Sequence, residues 1–453
     1  MNVYNPFNNE IIGEINLLNE EEVLNIVEKA KASVHEMESL SGFERAEILK
    51  EIIRGINECF DDFVKTIIIE SGKPYIYAKA ELERAIQTFN FAVEEANRLP
   101  HEIFNLDSSP KGKGLKGELI MFPVGLIFGI SPFNFPLNLA VHKIAPAIAT
   151  GCPIILKPSS KTPLTMKLLK RIMDKTALPK DAFSVVNCSR ETGNILIEHK
   201  DIKVLSFTGS PAVGWDMKAK AGKKKVILEL GGNAAAIICE DADIENAVNE
   251  LLVGGFAYSG QVCIHTQRIY VHQRLFATFL DLFKEKVDQL VVGDPLNEAT
   301  GFSCMIDEEN AKRVEKWVDE AVQNGARLVT GGKRKNNFYA PTILTNVPDT
   351  AKVRNEEVFG PVVIIEPIEN LDQAIQQVND SKWGLQASIF TDQITNRNKA
   401  FNQLQVGALI HNKSTTFRVD NMPYGGIKDS GFGREGVRYT MKDYLEPKLL
   451  VRE

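Results

Sequence analysis

A cysteine, a glutamate and an asparagine define the chemistry this chain can do. Cys263 lies in Ser259-Gly260-Gln261-Val262-Cys263-Ile264, just past a Ser-Gly turn. The polar tract His265-Thr266-Gln267-Arg268 separates it from the apolar Ile269-Tyr270-Val271. A thiol in such a turn can be partly exposed, and a neighbouring cation or helix N-terminus lowers its pKa and makes it a nucleophile. Most cysteines are inert and buried, so the turn alone decides little. Three further stretches matter. Leu228-Glu229-Leu230-Gly231-Gly232-Asn233 sets a carboxylate at a strand end before a glycine pair, and Ser131-Pro132-Phe133-Asn134-Phe135-Pro136 holds an amide between two prolines. Glu356-Glu357-Val358-Phe359-Gly360-Pro361 follows later. A thiol nucleophile, a carboxylate base and an amide that donates to an oxyanion are the parts needed for acyl chemistry at a carbonyl.

The elements that must position these groups follow from periodicity. Residues 1–18 read as an extended lead-in with turns at Asn8-Asn9 and Gly13. Asn19 caps a helix that opens on three glutamates, and helical patterns continue to about Asn97, broken near Ser41-Gly42 and Gly72-Lys73-Pro74. This helical layer shows no chemistry of its own. Residues 100–118 are irregular and basic, and lead to a strand at Gly117–Phe122. From Val124 strands and helices alternate. Strands are predicted at 125–130, 153–156, 183–186, 204–207 and 226–228, with helices at 137–150 and 162–175 and another between the third and fourth strands. A second series runs from Ala235 to about Leu409, with helices at 244–258, 273–289 and 307–324 and a strand near 387–390. Such alternation predicts parallel sheets, which bind ligands at the carboxyl ends of their strands. The tail from Tyr444 reads as extended.

A chain of 453 residues suggests two or three domains. With 44% hydrophobic and 25% charged residues it has an ordinary globular composition, and a net charge of −6 gives no reason to expect nucleic acid or an anionic membrane as partner. No apolar run approaches membrane-spanning length, and Met1–Pro6 lacks the features of a secretory signal. Six scattered cysteines without a Cys-x-x-Cys read as reduced thiols, so a cytoplasmic location is expected. Seven histidines show no metal spacing, and no metal site is expected.

The four motifs, in this order and at these separations, resemble the aldehyde dehydrogenase superfamily over essentially the whole chain, from Asn5-Pro6-Phe7 onward. The resemblance implies an α/β fold with a Rossmann-type parallel-sheet cofactor domain (1–105 and 125–229) and an α/β catalytic domain (230–410). It also implies a pocket and linker segment (411–435) and a small β oligomerisation hairpin with tail (106–124 and 436–453) in a homodimer or homotetramer. In that scheme Cys263 attacks an aldehyde, Asn134 and the Cys263 backbone N–H hold the oxyanion, and Glu229 activates water to release the acid. A coenzyme A-acylating enzyme is disfavoured because such relatives lack this glutamate. A semialdehyde dehydrogenase is an alternative, and outside the enzymes so is a silent nucleotide-binding oligomer. Lys143 and Glu435 match positions that support the site or relay protons, and each suits a structural ion pair equally well.

The same resemblance implies NAD or NADP as cofactor, although Gly-x-Gly-x-x-Gly is absent. Phe207-Thr208-Gly209-Ser210 stands at a strand-to-helix junction where backbone amides hold a pyrophosphate. Ser131, Pro132, Phe133, Lys157, Ser159, Gly193 and Leu230 complete the implied contacts, with Glu357 on the nicotinamide ribose and Phe359 on the nicotinamide. Ser160 stands where NAD-preferring members often carry Glu, so NADP acceptance is expected. Phe417-Arg418-Val419-Asp420-Asn421-Met422-Pro423-Tyr424-Gly425-Gly426 resembles the branch of lactaldehyde, non-phosphorylating glyceraldehyde-3-phosphate, phosphonoacetaldehyde and sulfolactaldehyde dehydrogenases. This implies a small polar or anionic aldehyde as substrate. Arg418 falls where many relatives line the pocket with an aromatic residue. It either forks onto an anionic substrate group or pairs with a nearby carboxylate such as Asp420. His142, His265 and Arg268 are further candidates for this pocket.

Overall fold

The computed structural model describes residues 1–453. The amino terminus forms a hairpin of β1 (Asn2–Tyr4) and β2 (Ile11–Glu14). Five helices follow: α1 (Glu20–Ala32), α2 (Val34–Ser39), α3 (Gly42–Glu58), α4 (Phe60–Ser71) and α5 (Tyr75–Ala96). Asn19 and Ser41 each accept from the third helical N–H, and Glu22 and Glu44 reach back to the cap backbone. These reciprocal caps explain why the chain restarts where the sequence predicts. The breaks at Ser33 and Cys59 carry neither glycine nor proline, so periodicity runs through them unseen.

A hairpin of β3 (His101–Asn105) and β4 (Lys116–Pro123) occupies the basic stretch. Its first strand begins five residues before the boundary expected at 106. Then come β5 (Leu126–Ile130), α6 (Asn138–Thr150), β6 (Ile154–Lys157), α7 (Leu164–Met173), β7 (Phe183–Val185), α8 (Arg190–Glu198), β8 (Ile202–Thr208), α9 (Pro211–Lys220) and β9 (Lys225–Glu229). These strands form a parallel sheet in the order β9-β8-β5-β6-β7. A sixth strand, Gly431–Phe432, joins antiparallel to β9 and returns the end of the chain to this sheet. That contact has no counterpart in the sequence pattern, because two residues give no period.

The second sheet starts with β10 (Ala234–Ile238) and, after α10 (Ile244–Phe256), β11 (Thr266–His272). Strands Thr342–Thr345, Val362–Ile368, Gln386–Phe390 and Ala408–His411 extend it in parallel, and Arg327–Thr330 closes one edge antiparallel. The tail Leu445–Arg452 pairs antiparallel with β4 along its whole length. No helix is long and apolar enough to cross a membrane.

Alternation along the strands splits the first core in two. Ile127, Ile154, Val204 and Ile227 face the α3–α5 layer with Ile52 and Phe89, whereas Leu126, Phe128, Ile155 and Leu205 face α1 with Val23 and Val27. Helix α6 lies between the sheet and α5, and every one of its residues is buried, Asn138, His142 and Lys143 included. Polar groups at such depth need partners, and those partners build the site.

Gly72 ends α4 at φ +70°, and a Cβ there would lie 2.7 Å from Cys304 Sγ. Gly72→Ala is expected to cost about 2 kcal/mol or more, from left-handed backbone and overpacking together. Urea denaturation checks this, and an unchanged midpoint contradicts it.

Candidate active site

The parallel register brings the predicted cofactor residues to one edge. Ile130 is level with Lys157 and with Phe207, and Thr208 with Glu229. The segments that follow these strands, with Glu357 and Phe359, wall a cleft of about 550 Å3. Ser131, Pro132, Phe133, Lys157, Ser159, Ser160, Phe207, Thr208, Gly209, Ser210 and Leu230 line it, and so do Asn134, Glu229 and Cys263. Gly193 does not. A Cβ on it would lie 3.5 Å from Lys157 Cε, so Gly193 backs the lysine stem rather than the cleft. Ile130, Pro158, Val213, Gly231, Asn310 and Arg313 line the cleft without having been read from the sequence.

The cleft suits a dinucleotide. Ser131 Oγ is buried with no partner, and α9 opens on Pro211 directly after Ser210, presenting a helix N-terminus. Glu357 accepts from the Gly232 N–H through Oε1 at 2.9 Å, and a Cβ on Gly231 would lie 2.3 Å from its Oε2. Burial pushes the Glu357 carboxyl up to about 7. Phe133 meets Phe359 edge-on at 5.8 Å, and Phe359 itself holds φ +44°. A non-glycine residue there is strained and persists only where its surroundings hold it.

Cys263 lies on a turn held by its predecessors. Helix α10 stops at Phe256, two residues short of the predicted end, and Tyr258, Ser259 and Gly260 then take φ of +48°, +53° and +68°. Tyr258 OH donates to Ser71 O at 2.8 Å, Ser259 Oγ to Ser303 O at 2.7 Å, and Gln261 Oε1 accepts from Ile306 N at 2.9 Å. Asn134 Nδ2 donates to Gln261 O at 2.9 Å, which ties the amide to the turn two residues before the thiol. Burial pushes the Cys263 thiol up to about 11; the Tyr424 hydroxyl, 2.9 Å from Sγ, opposes this shift.

Beyond the thiol lies a smaller cavity of about 170 Å3, lined by Tyr77, Arg84, Phe135, Asn138, Thr416, Arg418 and Tyr424 among others. Cys263 lines both cavities. Asp420 is buried behind this wall, where Arg84 grips it with two bonds of 3.0 and 2.8 Å and Asn138 and His142 contact its Oδ1 at 3.2 and 2.9 Å. Burial favours its neutral form, yet the His142 and Arg84 bonds hold it well below the usual carboxylate range. Arg418 therefore does not own Asp420: its Nε is 3.8 Å away and has no hydrogen-bond partner.

Lys143 and Glu435 meet as a fully buried pair. Lys143 Nζ donates to Glu435 Oε1 and to Thr208 Oγ1, each at 2.7 Å. Burial alone would raise Glu435, but Lys143, His142 and Arg418 hold it low. Glu229, in contrast, is raised well above the usual range by burial and by the neighbouring Glu435 charge, and neither of its oxygens has a partner. A Cβ on Gly425 would lie 2.8 Å from its Oε1.

Two sequence expectations need correction. Arg268 spends its guanidinium on Asn233 O at 2.9 Å and Gln377 O at 3.1 Å, inside the second sheet. His265 is fixed on Gly255 O at 2.9 Å and pushed down to about 4 by burial. Both precede or begin β11, and neither lines the cavity beside Cys263. His142 also stands behind that wall, contacting it through Arg418 Nη2 at 3.1 Å. Helix α5, read as carrying no chemistry, supplies Arg84. Its Asp420 partner lies 336 positions away, a pairing that no local pattern reports.

Residues 1–450 match the model of the Aldehyde dehydrogenase family. The chain belongs to this family. It is 40% identical over 452 residues to 3-sulfolactaldehyde dehydrogenase from Priestia aryabhattai, covering 100% of this chain and 94% of that protein. The structure is similar to that of aldehyde dehydrogenase 21 from Physcomitrella patens in complex with the reaction product succinate (TM-score 0.99, 42% identity, 100% and 95% of the two chains). It also resembles glyceraldehyde-3-phosphate dehydrogenase GapN from Methanocaldococcus jannaschii complexed with NADP (TM-score 0.95, 37% identity, 100% and 98%). The protein is thus an NAD(P)-dependent aldehyde dehydrogenase, related to the branch its Phe417–Gly426 segment resembles.

The raised Glu357 carboxyl has a consequence for stability. A folded-state pKa above the unfolded one means the folded state binds the extra proton, so stability falls as pH climbs from the ordinary glutamate value towards about 7. Glu357→Gln keeps the Gly232 contact without the ionisation. Its stability relative to wild type is expected to be flat in acid, to rise between pH 4.5 and 7, and to level off above. Denaturation midpoints across that range test this, and a constant difference refutes it.

Proposed function

We propose that this aldehyde dehydrogenase oxidises a small aldehyde bearing an anionic group, sulfonate, phosphate or carboxylate, to its acid by way of a Cys263 thioester. The observation that carries the anionic part is the state of Arg418. It lines the cavity beside Cys263, is almost wholly buried, and is left incompletely partnered. Asp420 is engaged by Arg84, and Glu435 is engaged by Lys143 and stands 3.8 Å from Arg418 Nη2. His142, kept neutral by burial and by Arg418, has one nitrogen between Asp420 and Arg418, and a single proton there cannot satisfy both. Arg84 lines the same cavity as a second cation. A volume near 170 Å3 suits a short substrate better than a long apolar one. Guanidinium forks bind all three anions, so the semialdehyde reading shares this chemistry.

In this reading Cys263 Sγ attacks the carbonyl carbon. The Asn134 amide leaves Gln261 O to donate to the oxyanion, together with the Cys263 backbone N–H. The cleft residues named above would hold NAD(P), which would supply a hydride acceptor; loss of hydride from the thiohemiacetal leaves a thioester. Glu229, which burial and the Glu435 charge favour in its protonated form, must first lose that proton to solvent; as the carboxylate it takes a proton from water, whose oxygen attacks the thioester carbonyl, and the C–S bond breaks to release the acid and the Cys263 thiolate. The unpartnered oxygens of Glu229 suit that role, and its presence favours hydrolysis over transfer to coenzyme A. The two sheets would then divide cofactor binding from nucleophile support. The exposed Ile103, Phe104, Leu449, Leu450 and Val451 on the three-stranded sheet suit a self-association surface.

Turnover on matched short aldehydes, neutral lactaldehyde against sulfo-, phospho- and carboxylate-bearing analogues, tests the substrate class. The anionic set should be preferred. Arg418→Gln should cost that set roughly tenfold to a hundredfold in kcat/KM and leave lactaldehyde within a few-fold. Equal use of lactaldehyde by wild type would remove the anionic reading, and full activity of Cys263→Ser would remove the mechanism.

Ser160 lines the cleft as a small exposed residue, and Lys161 beside it pairs with Asp307 at 3.2 Å. No acid at 160 opposes a 2′-phosphate, so NADP should be accepted. Ser160→Glu is expected to depress kcat/KM for NADP by roughly tenfold while sparing NAD. Undiminished NADP use in the variant would contradict this.

A further inference from the structure

The Cys263 thiol has one side-chain hydrogen-bond partner, and it is a phenol. Tyr424 follows Pro423 in the segment that returns to the first sheet. Reciprocal backbone bonds with Glu435, 2.9 and 2.7 Å long, fix its position. Its ring packs with Val262, Ile264 and Leu385, and the Arg418 guanidinium carbon lies 3.7 Å from the ring centre. Only 3% of the residue is exposed, and its hydroxyl reaches Cys263 Sγ at 2.9 Å.

We propose that Tyr424 is a catalytic residue of this enzyme, whose O–H donates to Cys263 Sγ and stabilises the thiolate formed when the thiol gives its proton to solvent before attack. This rests on the reading of Cys263 as the nucleophile. Four observations argue for it. The hydroxyl has no other partner, and once the sulfur has ionised it can only accept, so the phenol is then the donor in this bond. The guanidinium on the ring face withdraws charge from the phenol and strengthens it as a donor. Burial, reinforced by the nearby Cys263, keeps the phenol protonated. Finally, the other charged groups around Sγ are Glu357, Arg418 and Glu229. The two glutamates oppose a thiolate when ionised, and Arg418, on the Tyr424 ring face, favours one. A phenol that donates while keeping its proton favours the anionic sulfur without introducing a base.

The test compares wild type with Tyr424→Phe, which keeps the ring, its packing and the Arg418 stack. Alkylation of Cys263 is followed at pH 7.5 by peptide mass mapping with two reagents of different bulk, methyl methanethiosulfonate and iodoacetamide. A hydrogen bond to a charged acceptor lost from the thiolate, discounted for the higher nucleophilicity of a more basic thiol, predicts roughly three- to tenfold slower labelling by both. Similar slowing by both supports the proposal, because thiolate population does not depend on the reagent. Unchanged or faster labelling, or slowing of the bulkier reagent alone, overturns it. Turnover by Cys263→Ser would instead unseat the nucleophile, and the labelling comparison does not depend on that result.

Discussion

The Lys143–Glu435 pair is the contact on which the rest of the site depends. Neither side chain reaches solvent, and each would be costly to bury alone. Lys143 comes from α6 and also donates to Thr208 at the end of β8. Glu435 comes from the closing segment, which is joined to β9 through Gly431–Phe432. One ammonium thus binds the buried helix, the first sheet and the closing segment together. Burial and then the charge on Glu435 raise its neighbour Glu229, so a structural pair also helps to set the protonation of that carboxyl. Two carboxyls in one buried site cannot easily both ionise, and the one that owns a lysine wins.

A similar fully buried pair fixes the other side of the nucleophile. Lys73 binds Glu81, and Glu81 Oε1 accepts from the backbone N–H groups of Leu137 and Asn138 at the start of α6. The Lys73 ammonium also sits over the rings of Phe135 and Tyr258, at 3.9 and 4.7 Å. The loop that carries Asn134 and the left-handed turn that leads to Cys263 are therefore held against one cation. Oxyanion donors are effective when they are fixed before charge develops. Here the fixing is done by groups that never touch the reacting atoms.

Much of this was legible in the sequence, for a physical reason. Parallel strands read as continuous apolar runs, and their carboxyl ends are where motifs such as Phe207-Thr208-Gly209-Ser210 and Leu228-Glu229-Leu230 must fall. Eleven of the twelve cleft residues expected ahead of Glu357 and Phe359 line it, and Gly193 alone drops behind Lys157. Local pattern fails where the contact is long-range or the conformation is imposed. The helical layer that carries Arg84 showed no chemistry of its own because Asp420 arrives from the far end of the chain. Arg268 and His265 looked like pocket residues because they neighbour Cys263 in sequence. A strand begins between them and turns their side chains into the second sheet. The three left-handed residues after α10 gave no signal beyond Gly260, since Tyr258 and Ser259 are held by bonds to Ser71 and Ser303 rather than by their own preference.

Arg418 shows why a buried charge can point to function even when carboxylates stand nearby. A structural guanidinium shares bonds with a carboxylate at hydrogen-bond distance, as Arg84 does with Asp420. Arg418 meets Asp420 and Glu435 only at 3.8 Å, because both are already committed to other cations. Its charge is held in place by the field of these acids and by the Tyr424 face, without being quenched by a bidentate bond. Desolvation of that guanidinium is met on folding, so an anion bound there, as proposed, would gain the attraction without removing much water from the arginine. The Tyr424 side chain touches both, Arg418 on its ring face and Cys263 at its hydroxyl, and all three line one cavity.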